Sequence, residues 1–363
     1  MDVSGVISRT VDIINSGEAK KRRCSSLLVP LKTKEFPFLA EKNLSFPVNG
    51  WVPDCKIGGV DSGFVAKRLA SIDLTLIRAM GVVFAYSNGI LSSAKYFPGF
   101  FRFPEPFLNG ASLEEDEAEQ SKSLLRLKEE ISASKKIIEG HSPKYCFIDG
   151  SIVPQFQDKP RHDSQLSGKY NGIISEFESL YSLAEEKNCT LISTVEDSRG
   201  SRFRQILQEE VLPSLNEKVL AAGELDGIFD SSLLDYFLEL GERSCAFTYT
   251  KNISQHPVLH DFSKEWGDSI FGFYLKPSLF DRPLRVEFIC RDKSKIKEKA
   301  DEVASVVFAL SSMHKEYAYP SVLIEADLRA KLRPDEIDLV YNRILDKLGN
   351  SVKLRMRRDN RPF

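Results

Sequence analysis

The sequence contains no C-x-x-C pair, and its six cysteines (Cys24, Cys55, Cys146, Cys189, Cys245 and Cys290) are scattered singly. That excludes zinc-ribbon spacing and does not read as a disulfide framework. In Tyr145-Cys146-Phe147-Ile148 the thiol sits in an apolar run, where a reduced cysteine acts as a small hydrophobe. No charge of one sign dominates: 50 basic residues face 52 acidic ones, for a formal net charge of -2. This balance argues against a passive DNA-coating protein. It leaves room for a local basic channel, because steering depends on where charge is placed. No apolar stretch approaches the ~20 residues of a membrane span. Charges interrupt positions 1–15, unlike the apolar core of a signal peptide, so a cytoplasmic chain with no membrane association is expected. There is no H-E-x-x-H pattern. His256 and His260 have Pro257 between them and are expected in a loop. No internal repeat or low-complexity tract is found.

What is there suits an ordered protein. The 363 residues are 42% hydrophobic and 28% charged, and this length favours one large domain with insertions or a core domain with a smaller lobe. Val3, Ile7, Val11 and Ile14 recur at helical spacing within a first helix over 1–20. The basic run Lys20-Lys21-Arg22-Arg23 follows, read as a solvated face, then a Pro-punctuated stretch to Pro53. Apolar runs predict strands over 57–65, 74–86 and 91–103, forming an antiparallel meander. A long amphipathic helix over 112–139 leads into a buried strand over 145–149. A helix over 170–187 and a strand over 190–195 come next. Strands over 246–250, 270–276 and 284–290 precede helices over 293–313, 321–331 and 335–348. Strands first in a meander, then alternating with helices, predict an α/β fold with a mixed sheet under helical cover.

Two segments share one design. Gly58-Gly59-Val60-Asp61-Ser62-Gly63 and Phe147-Ile148-Asp149-Gly150-Ser151 each end an apolar strand on an aspartate followed by small residues. Either aspartate alone reads best as a turn cap. Together, on neighbouring strands, their carboxylates would repel unless a divalent cation neutralised them. Small residues there leave space for a hydrated ion or a phosphate. On the preceding helix Leu124, Leu127, Ile131, Ser134 and Ile138 form one stripe. Glu129 projects nearly opposite that stripe and Glu130 lies on its border. Glu130 therefore reaches a site at the sheet edge more readily, while a plain solvated glutamate fits the geometry equally well. In Tyr319-Pro320-Ser321-Val322-Leu323-Ile324-Glu325-Ala326-Asp327-Leu328-Arg329-Ala330, small Ala326 and Ala330 let Asp327 lie close to the sheet.

This ordered set (Gly-Val-Asp-Ser-Gly, a helix glutamate, Ile-Asp-Gly-Ser, then Tyr-Pro-x-x-Leu-x-x-Ala-Asp-x-x-Ala) resembles the NurA nucleases from about Gly58 to Lys331. The resemblance implies a ribonuclease H-like mixed sheet flanked by helices, with inserted helical elements. It divides the chain into an N-terminal helix and extended segment (1–55), a nuclease domain (56–335, with insertions around 200–285), and a C-terminal helix with a basic tail (336–363). It implies a DNA nuclease dependent on Mn²⁺ or Mg²⁺, with two ions per site. It also implies a homodimer partnered with the hexameric ATPase HerA in DNA-end resection. Carried onto this sequence, the metal ligands and catalytic residues are Asp61, Glu130 and Asp149, with Asp327 completing the set. One departure stands out: the segment after the 190–195 strand carries Glu196, with Arg199 and Arg202 nearby, where the family is expected to have lysine.

The implied mechanism is two-metal phosphodiester hydrolysis, with Asp61 as the bridging ligand. Candidate DNA contacts are Arg199, Arg202, Arg204 and the tail Lys353-Leu354-Arg355-Met356-Arg357-Arg358, the tail reading first as a solvated end. Phe100, Phe101 and Phe103 are available to stack on bases, but core or dimer packing is the favoured expectation. Two rival readings stand. One is an actin-like or sugar-kinase-type ATP-binding enzyme, opposed by the lack of a glycine-rich adenosine-binding segment. The other is a catalytically degenerate adaptor for the ATPase, supported by Glu196 alone.

Overall fold

The computed structural model describes residues 3–70, 72–109, 113–217 and 219–349. In chain order the first elements are α1 (Val3–Leu28), β1 (Ser45–Pro47), β2 (Lys56–Arg68), β3 (Asp73–Ser87), β4 (Ile90–Phe97) and β5 (Glu105–Asn109). Next come α2 (Glu115–His141), β6 (Tyr145–Asp149), α3 (Ser167–Glu186), β7 (Thr190–Val195), α4 (Arg202–Ile206) and α5 (Asp230–Phe237). Then follow β8 (Glu242–Ser244), β9 (Phe247–Thr248), α6 (Lys264–Gly267), β10 (Ile270–Leu275) and β11 (Leu284–Ile289). The last are α7 (Ile296–Ser311), α8 (Ser321–Ala330) and α9 (Pro334–Leu348). Short 3-10 turns connect several of them. The chain folds as two compact units. One gathers 1–53, 192–256 and 264–321; the other gathers 54–191, 257–263 and 322–363.

The second unit holds the four predicted carboxylates. Its sheet runs in the order β6-β2-β3-β4, with β5 also paired to β3. β2 and β3 are antiparallel from Lys56↔Ala85 to Arg68↔Asp73, while β6 runs parallel to β2 with Val60 opposite Ile148. The sheet is therefore mixed. Residues 74–84 of β3 are buried without interruption, as expected of a strand covered on both faces. β4 is exposed along most of its length and is polar at Ser92, Ser93 and Lys95, which suits an edge. α2 packs Leu124, Leu127, Ile131, Ile137 and Ile138 inward. It ends at Ser142, whose left-handed backbone (φ 47) lets its N–H reach the Ile138 carbonyl at 3.1 Å. α9 begins with Pro334 at its first turn and buries Ile337 and Tyr341 against Leu69, Leu74 and Leu76.

One sequence expectation is corrected in this unit. The predicted strand over 91–103 stops at Phe97, and β5 starts only at Glu105. Pro98 and Pro104 explain the break, since proline brings no N–H to a ladder. The aromatic residues between them do not enter a core: Phe100, Phe101 and Phe103 are 61%, 70% and 61% exposed.

The first unit is built on an antiparallel sheet in the order β1-β8-β10-β11-β7, with β9 also paired to β10. Cys24, Leu28, Phe203, Leu233, Leu234, Phe237 and Tyr274 belong to its core. The wholly buried Asp230 accepts hydrogen bonds from the backbone N–H groups of Phe203 and Arg204, both at 2.9 Å, and so caps α4. α1 runs to Leu28 rather than ending near 20, and it takes in the basic run. Arg23 pairs with Glu224 at 2.9 Å and Arg22 lies over the Tyr236 ring. The strand predicted over 246–250 shrinks to Phe247–Thr248, and β8 precedes it. The basic tail from Lys353 to Arg358 lies outside the described residues.

Candidate metal centre

The parallel pairing of β2 with β6 sets the centre. Val60 is opposite Ile148, so Asp61 and Asp149 follow as neighbours on strands about 4.8 Å apart and project to the same face. Glycines bring the helices to β2. Gly59 and Gly63 share the Asp61 face by alternation. A Cβ on Gly59 would lie 2.8 Å from Val322 Cγ2, and one on Gly63 would lie 2.5 Å from the Ala330 carbonyl oxygen. α8 therefore rests directly on β2, with Asp327 between those two contacts along the helix. On the opposite face a Cβ on Gly58 would meet Ile137 Cγ2 at 3.0 Å, so α2 lies equally close. The glycines expected to leave space around the first carboxylate instead seat two helices. Gly150 fits that expectation: it has φ +81, and an added Cβ would meet nothing within 4 Å.

Asp61 is 7% exposed, and its carboxylate accepts the Ser62 N–H at 2.7 Å. Burial, then the charge of Asp149, then that of Glu130, push its carboxyl up to about 8; the Ser62 N–H opposes them and Asp327 adds a smaller upward push. The charges of Asp149, Glu130 and Asp327 thus all act on Asp61, while Glu130 approaches with Ser62 from the opposite face of β2. Glu130 is 2% exposed, and burial also raises its carboxyl, against the opposing Arg126 charge. Arg126 Nη1 donates to Glu130 Oε1 and Oε2 at 2.8 and 3.1 Å, and the Ser62 hydroxyl donates to Oε1 at 2.7 Å. Glu129 is only half-buried. Asp149 is half-buried and Asp327 is exposed at the rim.

The donor set is all carboxylate, the oxygen chemistry that hard divalent ions select. Asp61 faces an excess of negative charge that a cation would relieve, so the residues present fit such an ion. Among the described residues, no three His, Cys, Asp or Glu side chains are already drawn together as a cage. Both Glu130 oxygens instead accept from Arg126. Neither Arg126 nor Ser62 was singled out from the sequence as a partner. The i,i+4 spacing of Arg126 and Glu130 was the available signal. A cleft of about 470 Å³ beside them is lined by Phe64, Gln120, Ser123, Arg126, Gln157 and Asp158 among others.

Glu196, Arg199, Arg202 and Arg204 belong to the other unit. Arg199 and Glu196 are exposed after β7. Arg202 Nε donates to the Thr248 carbonyl at 3.3 Å, and Arg204 Nη1 donates to the Leu225 carbonyl at 3.4 Å, so both guanidiniums brace their own unit. His260 lies 3.2 Å from Lys159 Nζ and 3.1 Å from Asp261, outside the carboxylate group.

A family model, the NurA domain, matches residues 55–332. The chain belongs to the NurA family of nucleases. Two solved NurA structures share its fold. The NurA nuclease from Sulfolobus solfataricus is 17% identical, with a TM-score of 0.57 over 96% of this chain and 99% of that one. A NurA structure bound to dAMP and manganese is 9% identical, with a TM-score of 0.53 over 96% and 98% of the two chains. No curated protein sequence matches significantly. The NurA match spans every carboxylate of the centre. No helix among the described residues is long and apolar enough to cross a membrane.

Proposed function

We propose that this NurA chain is a deoxyribonuclease that hydrolyses phosphodiester bonds with Mn²⁺ or Mg²⁺ held by Asp61, Glu130, Asp149 and Asp327. The observation that carries the reading is the parallel pairing of β2 with β6, which sets Asp61 beside Asp149 and leaves the Asp61 carboxyl pushed up by burial and by the other carboxylates. Such a group is expensive to ionise alone and is suited to a divalent ion. The manganese in a NurA structure of the same fold supports Mn²⁺ as the ion.

When bound, a pair of ions supplies a water of lowered pKa and a charge to offset the leaving 3′-oxygen. The protein's part is positional. Asp61, fixed by the Ser62 N–H, would be the central carboxylate ligand. Asp149 stands beside it on β6, Glu130 enters from α2, and Asp327 closes the rim from α8. Arg126 holds the Glu130 carboxylate until an ion competes for it, and its guanidinium then faces the incoming phosphate. The family further supports work at DNA ends, in recombinational repair, by a homodimer coupled to a HerA-type hexameric ATPase. The ATP-binding reading loses its ground, because the NurA domain model matches residues 55–332.

The test is cleavage of end-labelled single- and double-stranded DNA with and without Mn²⁺. Wild type should cut only with metal, and Asp61→Asn or Asp149→Asn should lower the rate by at least about a hundredfold, the scale of a lost electrostatic group in an active site, with melting unchanged or raised. Near-normal cutting by either variant overturns the assignment. A thermal shift with ATP but none with Mn²⁺ would restore the kinase-like reading.

A further inference from the structure

The segment between β4 and β5 has no role in the carboxylate centre, yet it is built with care. Phe100, Phe101 and Phe103 stand exposed in a row, and three large rings open to water within four residues mark a binding surface. The segment is anchored rather than loose. Arg78, itself 4% exposed, donates from Nε to the Arg102 carbonyl at 2.7 Å and from Nη1 to the Lys331 carbonyl at 3.0 Å. Its guanidinium lies 5.1 Å from the centre of the Phe101 ring. Phe100 packs edge-on against Tyr96 at 5.0 Å, and Arg329 lies 4.1 Å from the Phe100 ring centre. Each of these two rings has a cation on one side and stays mostly open to water.

We propose that Phe100, Phe101 and Phe103 form a stacking platform for the unpaired bases of a DNA strand whose backbone runs into the carboxylate centre. The inference rests on the nuclease reading and adds a subsite to it. Position supports it. Phe97, where β4 ends, pairs with Gly81, and Asp61 pairs with the adjacent Met80. Phe97, three residues before the platform, therefore lies about two strand spacings, or roughly 10 Å, from Asp61. Arg329 ties the other end to α8, two positions beyond Asp327, and exposed Lys331 stands next to it for a phosphate. Chemistry favours bases over a protein partner. Open aromatic faces backed by guanidiniums that Glu325 and Glu336 already pair, with the exposed Lys331 ammonium beside them, suit flat rings on a phosphate chain, whereas the core of a protein interface is depleted of charge. A paired duplex hides its base faces, so the platform selects unpaired strands.

The experiment uses the full chain carrying Asp61→Asn, without metal, so that no cutting occurs. Anisotropy of a labelled oligothymidine and of a blunt duplex is measured with and without Phe100→Ala/Phe101→Ala. Single-strand affinity should fall about a hundredfold, tenfold per ring, which corresponds to about 1.4 kcal/mol each, while duplex affinity stays the same. Phe101→Trp should keep the affinity, and its fluorescence should be quenched by added oligonucleotide; this variant also serves if the double variant fails to fold. Unchanged single-strand affinity, an equal loss on duplex, or an unquenched Trp overturns the proposal. A smaller sedimenting species with unchanged DNA affinity would make the surface an interface between copies of the chain. Failure of the nuclease reading shows separately, as no cutting of DNA by the wild-type chain in Mn²⁺.

Discussion

At the scale of single residues, the centre turns on one cation. Arg126 neutralises Glu130 in the protein without metal, through bonds of 2.8 and 3.1 Å. An ion that recruits Glu130 competes with Arg126 for the carboxylate oxygens. Two consequences follow for Arg126→Gln. Without metal, a nearly buried carboxylate loses its partner. Breaking a fully buried pair costs about 3–5 kcal/mol, and the 28% exposure of Arg126 reduces this to about 2 kcal/mol. With Mn²⁺ the variant should gain more thermal stability than wild type, because the ion no longer competes with the guanidinium. Melting curves with and without Mn²⁺ check both, and equal Mn²⁺ increments in the two proteins would count against the competition. The sequence displayed Asp149 plainly, since it ends β6 before Gly150; Asp61, expected at a strand end, instead lies within β2, which runs on to Arg68. It left Glu129 and Glu130 open, because helical phase gives direction but no partner. The bonds from Ser62 and Arg126 distinguish the two, and such bonds exist only once α2 lies on β2.

At the scale of elements, glycines in β2 decide how near the helices come. A methyl group on Gly63 would meet the Ala330 carbonyl at 2.5 Å, and backbone cannot step aside as a side chain can. Gly63→Ala should therefore lift α8 and carry Asp327 with it. Overpacking of this kind costs about 1–3 kcal/mol, and Mn²⁺-dependent cleavage should fall with it. Gly140→Ala, at a helical position where an added Cβ meets nothing within 4 Å, is the matched control and should leave both unchanged. Equal effects at the two positions would refute the close seating. Long elements with one clear period were legible in advance: 145–149 and 190–195 match β6 and β7, and α2, α3, α8 and α9 lie within a few residues of expectation. Short ones were not. β1 and β8 have three residues each, too few to show alternation. The 98–104 segment was misread because aromatic content alone suggests a strand, while Pro98 and Pro104 forbid one.

At the scale of the whole molecule, membership of the NurA family and the geometry of one unit support the same chemistry. Asp61, Asp149, Glu130 and Asp327 come from four elements and from positions spanning 61–327, so no local pattern announces them together. Their order along the sequence resembled the family, and the parallel pairing of β2 with β6 gave that order a physical meaning. What stayed hidden was how the chain shares its segments: 192–256 and 264–321 fold with 1–53, not with the carboxylates, and nothing in periodicity signals such interleaving. The most direct test of the central claim is anomalous diffraction from crystals grown with Mn²⁺. The account predicts manganese peaks bounded by Asp61, Asp149 and Glu130, with Asp327 at the rim and Arg126 turned away from Glu130. Manganese bound elsewhere, or a centre that stays empty at saturating Mn²⁺ with Arg126 still on Glu130, would contradict it.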